Sequence, residues 1–93
     1  MSDKLVDLME LNPRLKKAVA YVGRVEILQM INEKPMYCEE IAMVRDQKPS
    51  GVFQHAKQLE QAGLIQGYRE ESNDRNVLYK VTPFGLRVLK LLE

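Results

Sequence analysis

The sequence has few of the residues that build metal, disulfide or catalytic sites. It contains one cysteine, Cys38, one histidine, His55, and no tryptophan. One thiol cannot form an intramolecular disulfide, although an intersubunit bridge is open to it. A soft-metal site needs several converging thiolates or imidazoles, and a lone cysteine and histidine have no evident orienting partner. We therefore expect no enzymatic activity, cofactor or metal; packing is the simplest role for Cys38, and a redox role is the alternative.

Other absences concern location and partners. No apolar run approaches the roughly 20 residues that span a bilayer, and no basic-then-apolar signal opens the chain. We expect a cytoplasmic protein that forms one domain over residues 1–93, because repeats and linkers are absent. The net charge is only +1, whereas free-standing nucleic-acid binders usually carry a basic excess. Any DNA-binding surface must therefore depend on local charge.

The N-terminal third has the apolar periodicity of helices. Residues 2–10 form an amphipathic pattern, and Asn12-Pro13 then resembles an N-cap followed by proline at the first helical position. The next helix is expected to run to about Asn32; alternatively, one helix is broken at Pro13. Gly23 is either a weak point or a close-packing site. The expected buried residues are Leu15, Ala18, Val19, Val22, Val25, Ile27, Leu28 and Ile31.

Two compact helices follow a proline. Lys34-Pro35 ends the preceding helix, Met36-Tyr37 is a possible strand stub, and residues 38–45 form a short helix. A turn over residues 46–49 leads to a helix over residues 50–62, which Gly63 ends. The expected inward positions of these two helices are Ile41, Ala42, Val44, Val52, Phe53, Ala56 and Leu59.

A hairpin and a last helix complete the chain. Residues 64–70 and 77–82 have strand character, and a polar connector over residues 71–76 joins them. Thr82-Pro83 begins a helix to Glu93 with an unusually apolar surface. This order of elements predicts an α+β, winged helix-turn-helix fold: a three-helix core, a β-hairpin wing and terminal helices for dimerisation. The second helix of the motif lies across the first, and its outer face is free to enter a major groove.

The sequence of this region also resembles known regulators. The pattern Ser50-x-Val52-x-x-His55-x-x-x-Leu59-x-x-Ala62-Gly63-Leu64-Ile65 is similar to the recognition helix and first wing strand of the arsenic-repressor-type (ArsR) and multiple-resistance-type (MarR) families. Residues 37–42 resemble their preceding helix, and residues 78–85 resemble their second wing strand. The similarity extends from about residue 24 to the end, and it implies a homodimeric transcription regulator. The positions of the ArsR paired thiols, Tyr37 and Glu39, are not cysteines, so the resemblance does not imply that metal site.

Double-stranded DNA is the expected partner of the third helix of the core. Glutamine can pair with adenine through two hydrogen bonds, and lysine can contact guanine or phosphate. Arginines on a wing can contact phosphate or a narrow minor groove, although the acidic residues of the hairpin oppose this. The alternative is an exposed polar surface without a partner. The candidate DNA-binding residues are Lys48, Ser50, Gly51, Gln54, His55, Lys57, Gln58, Gln61, Arg69 and Arg75.

Two of these expectations have specific alternatives. His55 borders the apolar side of its helix, so it either packs or contacts a phosphate. The terminal helices carry more apolar surface than a small domain can cover, which favours a dimer interface; alternatively, they cover each other within one protomer. The candidate interface residues are Leu5, Leu8, Leu86, Leu89 and Leu92.

The sequence thus predicts a homodimeric repressor that inserts residues 50–61 into the major groove. The alternative is a winged-helix module for protein–protein interaction in a larger assembly, without specific DNA binding. The low net charge is the feature that supports this alternative.

Overall fold

A computed structural model describes the backbone of residues 3–70 and 73–92 and the side chains of residues 3–69 and 77–92. Helices and strands follow the order predicted for a winged helix-turn-helix, with one additional break in the N-terminal helices. The elements are α1 (Asp3–Leu11), α2 (Pro13–Val19), α3 (Val22–Glu33), β1 (Met36–Tyr37), α4 (Cys38–Arg45), α5 (Pro49–Gln61), β2 (Ile65–Glu70), β3 (Asn73–Val81) and α6 (Pro83–Leu92).

The N-terminal region forms three helices. Asn12 separates α1 from α2 and caps α2, because its Oδ1 accepts a hydrogen bond from the Leu15 backbone N–H at 3.2 Å. The helix expected over residues 13–32 is broken again at Ala20 and Tyr21, and Tyr21 is the N-cap of α3. The break changes the direction of the chain. Val22, which was expected to be buried, is therefore 74% exposed in the first turn of α3.

The core lies where α3, α4 and α5 meet, and α1, α2 and α6 cover its sides. Val44 and Phe53 were expected to point inward but are 70% and 47% exposed. In α5 the buried residues occupy every third or fourth position, and Phe53 lies about 100° around the helix from Val52. The fully buried large side chains are Leu5, Leu15, Ile27, Leu28, Ile31, Ile41, Val52, Leu59, Leu64, Ile65 and Val88.

The sheet is antiparallel and has the strand order β1-β3-β2. The short strand β1 pairs Tyr37 with Leu78, and β2 pairs Gly67 with Tyr79. The second strand of the hairpin begins at Asn73, four residues before the expected Val77. Gly63 ends α5 at φ +80°, in the left-handed conformation that glycine adopts without a steric penalty.

Thr82 connects the end of α5 to the start of α6. Its hydroxyl donates to the Gly63 carbonyl at 2.5 Å and accepts from the Gly85 N–H at 3.0 Å. The expected threonine cap of the last helix is therefore present. Because the same side chain binds both helix ends, it also fixes the direction in which the chain leaves the wing.

Candidate nucleic-acid interface

One face of α5 is exposed along the whole helix. Val52, Ala56 and Leu59 are fully buried on the opposite side. The turn before α5 is tight: Asp46 ends α4 in the left-handed conformation at φ 52°, and the Gln47 N–H donates to the Ala42 carbonyl at 2.9 Å. We call the following exposed residues the reading face: Ser50, Gly51, Gln54, Lys57 and Gln61.

The other candidate residues lie at the start of α5, on its half-buried side and on the wing, which also carries Lys80. Lys48 is exposed at the N-cap position of α5, and Gln58 is half-buried beside the helix core. Arg69 is exposed on β2 of the wing. Lys80, on β3, places its Nζ 5.0 Å from the centre of the Tyr68 ring. The side chain of Arg75 lies outside the part of the chain that the structure describes. The structure therefore brings cationic groups to both α5 and the wing.

His55 holds α5 against the N-terminal helices. Its Nδ1 accepts a hydrogen bond from the Arg24 Nε at 3.1 Å, and the same guanidinium donates from Nη1 to the Lys17 carbonyl at 2.9 Å. Arg24 also lies over the Tyr21 ring, 4.5 Å from its centre. Partial burial, and then the charges of Arg24 and Arg45, lower the pKa of His55. A neutral imidazole is a weak partner for phosphate, so this geometry favours the packing alternative.

A hydrogen bond also joins α5 to the wing. The Glu60 Oε2 accepts a hydrogen bond from the Gly67 backbone N–H at 2.8 Å. This N–H points away from β3 at the edge of the sheet, where it would otherwise require water. A Cβ at position 67 would lie 2.6 Å from Val77 Cγ1 and 3.1 Å from the Glu60 Oε2, so any other residue here would force these side chains to move. The sequence gives no sign of this contact, because a glutamate on a polar helix face is ordinary.

An ion pair joins the first two helices of the core. Arg45 donates from Nη1 to Glu26 at 2.6 Å and from Nε to Gln47 at 3.2 Å. A Cβ at position 23 would lie 3.3 Å from Arg45 Nη2, so a side chain there would require only a small shift at the end of the Arg45 side chain. This cluster places the end of α4 against the start of α3.

Cys38 lies between the first turns of α4 and α5. Its Sγ donates to the Pro49 carbonyl at 3.3 Å. Burial, and then the carboxylate of Glu39, raise the pKa of the thiol, whereas nucleophiles and metal ligands are thiolates. Among the described residues, no group of three or more His, Cys, Asp or Glu side chains could hold a metal ion. These observations favour packing as the role of Cys38.

The candidate dimer residues divide into two groups. Leu5 is fully buried and Leu89 is 8% exposed, so both belong to the core of one protomer. Leu8 and Leu92 are half-buried, and Leu86 is 43% exposed. An open groove of about 510 Å³ runs between α1 and α6. It is lined by Lys4, Asp7, Leu8, Leu11, Phe84, Arg87, Lys90 and Leu91.

Together, the exposed helix and the adjoining hairpin define a winged helix-turn-helix domain. The family model described as "Bacterial regulatory protein, arsR family" matches residues 22–66, which is a little under half of the chain. No curated protein is significantly similar in sequence to the chain. None of the described helices has both the length and the apolar character needed to cross a membrane.

Several solved structures share the fold. A variant of ZitR from Lactococcus lactis, in complex with DNA, is 26% identical, with 74% of this chain and 47% of that chain covered and a TM-score of 0.67. A homodimeric winged helix-turn-helix DNA-binding domain of Mb0332 from Mycobacterium bovis, a possible ArsR-family regulator, is 22% identical, with coverages of 99% and 83% and a TM-score of 0.78. Reduced HlyU from Vibrio cholerae is 22% identical, with coverages of 98% and 94% and a TM-score of 0.74.

These similarities confirm the predicted fold and the resemblance to ArsR- and MarR-type regulators. The chain spans about half the length of the ZitR chains that it matches. At the level of the family model and the shared fold, the comparisons support a transcriptional regulator. Phe53, Glu60 and Arg24 were not among the predicted site residues, and the structure adds them to the surroundings of α5.

Proposed function

We propose that this protein is a sequence-specific, DNA-binding transcriptional regulator that acts as a homodimeric repressor. The observation that carries the proposal is the exposure of the reading face, which none of the elements in the described part of the chain covers. In a helix-turn-helix such a face enters the major groove. The ZitR variant was solved with DNA and the Mb0332 domain as a homodimer, and both share this fold.

The chemistry of the reading face suits base edges and phosphates. Gln54 and Gln61 can each offer a donor and an acceptor to adenine, and Lys57 can contact guanine or phosphate. Lys48 and Arg69 extend the cationic surface to the two ends of this region. A net charge of +1 means that affinity depends on these few contacts. We therefore expect a modest number of phosphate contacts and a correspondingly modest salt dependence.

The proposed dimer uses the surface of α1 and α6. Leu11 is 84% exposed and Leu86 is 43% exposed, and the groove between the helices is lined by four apolar and four charged side chains. A second copy would cover this surface around a two-fold axis. It would also set two recognition helices about 34 Å apart, as a near-palindromic site requires. Bound in this way, the dimer would exclude other proteins from the same stretch of duplex.

The proposal places the chain in the cytoplasm as one domain without catalytic activity, cofactor or resident metal. Selection of bound duplexes from a random pool at low salt tests it directly. A regulator should enrich a near-palindromic sequence, and the logarithm of its affinity for that sequence should fall linearly with the logarithm of the salt concentration. If no duplex is enriched, or if binding is equal for all sequences, specific recognition is contradicted.

A protein–protein interaction module is the second candidate. One observation favours it: Val22, Met43 and Val44 are 74%, 84% and 70% exposed on α3 and α4, away from the reading face. Exposed apolar residues of this size can form part of a binding surface. The same duplex selection separates the two functions, because an interaction module without DNA specificity would enrich no sequence.

A further inference from the structure

Phe53 is the apolar exception on the polar side of α5. The other large apolar residues of the helix, Val52 and Leu59, are fully buried, whereas Phe53 is 47% exposed. Single exposed apolar residues are common on protein surfaces, so the exposure of Phe53 alone does not indicate a binding site. The position is informative: residues three and four apart are neighbours on a helix surface. Phe53 therefore lies beside Ser50 and Lys57, within the surface that the proposed function assigns to DNA.

A shallow pocket accompanies this side chain. It measures about 320 Å³ and lies between the N-terminal ends of α4 and α5, the ends that a helix-turn-helix turns toward the duplex. The Phe53 ring, the Pro49 ring and the Cys38 side chain form the apolar half of its lining. Its remaining lining residues are Glu39, Ser50 and Gln54.

The lining selects among the groups that a major groove presents. The Glu39 carboxylate repels phosphate, so the pocket is unsuited to the DNA backbone or to another anion. The Phe53 and Pro49 rings on its apolar side suit a neutral apolar group. Thymine is the one standard base with such a group on its major-groove edge, the C5-methyl, and phenylalanine is among the side chains that contact it. The adjacent Gln54 is suited to adenine, so the two side chains together fit A·T base pairs.

We propose that Phe53 is a specificity-determining residue that contacts the C5-methyl of a thymine in each half-site. This inference rests on the proposed DNA-binding function. The contact buries one methyl group against an aromatic ring. Burial of a group of that size corresponds to a factor of about four in affinity.

The test removes the methyl from the DNA and leaves the protein unchanged. Duplexes are selected from a random pool, and each thymine of the enriched sequence is then replaced in turn by uracil, which differs only in lacking the C5-methyl. We expect one replacement in each half-site to weaken binding of the unmodified protein about fourfold. If uracil at every position leaves the affinity unchanged, the inference is overturned.

Protein variants then assign the effect to Phe53. For Phe53→Ala, the thymine and uracil duplexes should bind equally, whereas Phe53→Leu should retain part of the difference. Val22→Ala, an exposed apolar residue on α3, is the matched control and should retain all of it. A full uracil penalty in Phe53→Ala would assign the methyl contact to another residue and overturn the inference. If the unmodified protein enriches no duplex, the proposed DNA binding fails and the role of Phe53 fails with it.

Discussion

The Arg24 Nε and the His55 Nδ1 are joined by a hydrogen bond of 3.1 Å, although 31 positions separate them in the sequence. The bond requires an unprotonated Nδ1, because a protonated imidazole can only donate. Arg24 is itself held by the Lys17 carbonyl and the Tyr21 ring. One contact on α5 thus connects the proposed recognition helix to the break between α2 and α3.

The first prediction concerns pH. Burial, Arg24 and Arg45 lower the pKa of His55 below its ordinary value of 6.5 in the folded protein. Between the lowered pKa and 6.5 the unfolded chain binds more protons, so the free energy of unfolding decreases as pH falls through this window. The contribution is fully present above pH 6.5. Urea unfolding at a series of pH values should show a lower midpoint in mildly acidic buffer.

His55→Gln is the matched control for this effect. Its amide oxygen can still accept a hydrogen bond from Arg24, and it does not titrate. The variant should lose the part of the pH dependence that lies just below pH 6.5, while carboxylates continue to titrate at lower pH. Identical pH profiles for the two proteins would show that His55 protonation does not affect folding.

The second prediction concerns the contact between Glu60 and the wing. Glu60→Ala leaves the edge N–H of Gly67 without its carboxylate acceptor. Because the contact is exposed, water replaces it in part, and we expect a loss of about 0.5–1 kcal/mol in the free energy of unfolding. The amide of Gly67 should also exchange faster with deuterium. Glu60→Gln keeps an acceptor oxygen and should behave nearly like the unmodified protein; equal exchange rates in all three proteins would argue against the contact.

The sequence was most informative where a local pattern determines structure. The Asn12-Pro13 start, the Gly63 stop and the outer face of residues 50–61 each follow from capping or periodicity. Contacts between distant segments leave no such pattern: nothing in the sequence pairs Glu60 with Gly67. The same limit explains why Phe53 was expected to be buried but is 47% exposed. The sequence does not show that a helix as short as α4 covers only part of α5.

The third prediction concerns the two central residues of the reading face. Gln54→Ala should reduce affinity for the enriched duplex by about 1–3 kcal/mol and relax specificity at one base pair. If Lys57 contacts phosphate, Lys57→Ala should weaken binding to all duplexes. It should also reduce the slope of log affinity against log salt concentration by about one. Fluorescence anisotropy at several salt concentrations measures both effects.

Stability is the control for these two variants. Gln54 and Lys57 are exposed, and surface substitutions usually change stability by less than about 0.5 kcal/mol. Their thermal unfolding midpoints should therefore match that of the unmodified protein. Unchanged affinity in both variants, or a failure of both to fold, would contradict the assignment of this face to DNA.

The last prediction concerns the dimer. A charge at Leu89 would test stability rather than association, because this residue is 8% exposed in the protomer core. Leu86 and Leu11 are 43% and 84% exposed at the proposed interface, so Leu86→Glu and Leu11→Glu should fold. Two copies of the same charge near a two-fold axis repel each other, and each leaves water for an apolar surface.

Light scattering should show the dimer mass for the unmodified protein and half of that mass for Leu86→Glu. Val44→Glu is a matched control, since it places the same charge on an exposed valine of α4 and should leave the mass unchanged. A monomer mass for the unmodified protein at micromolar concentration would refute the interface, and so would an undiminished mass in both leucine variants.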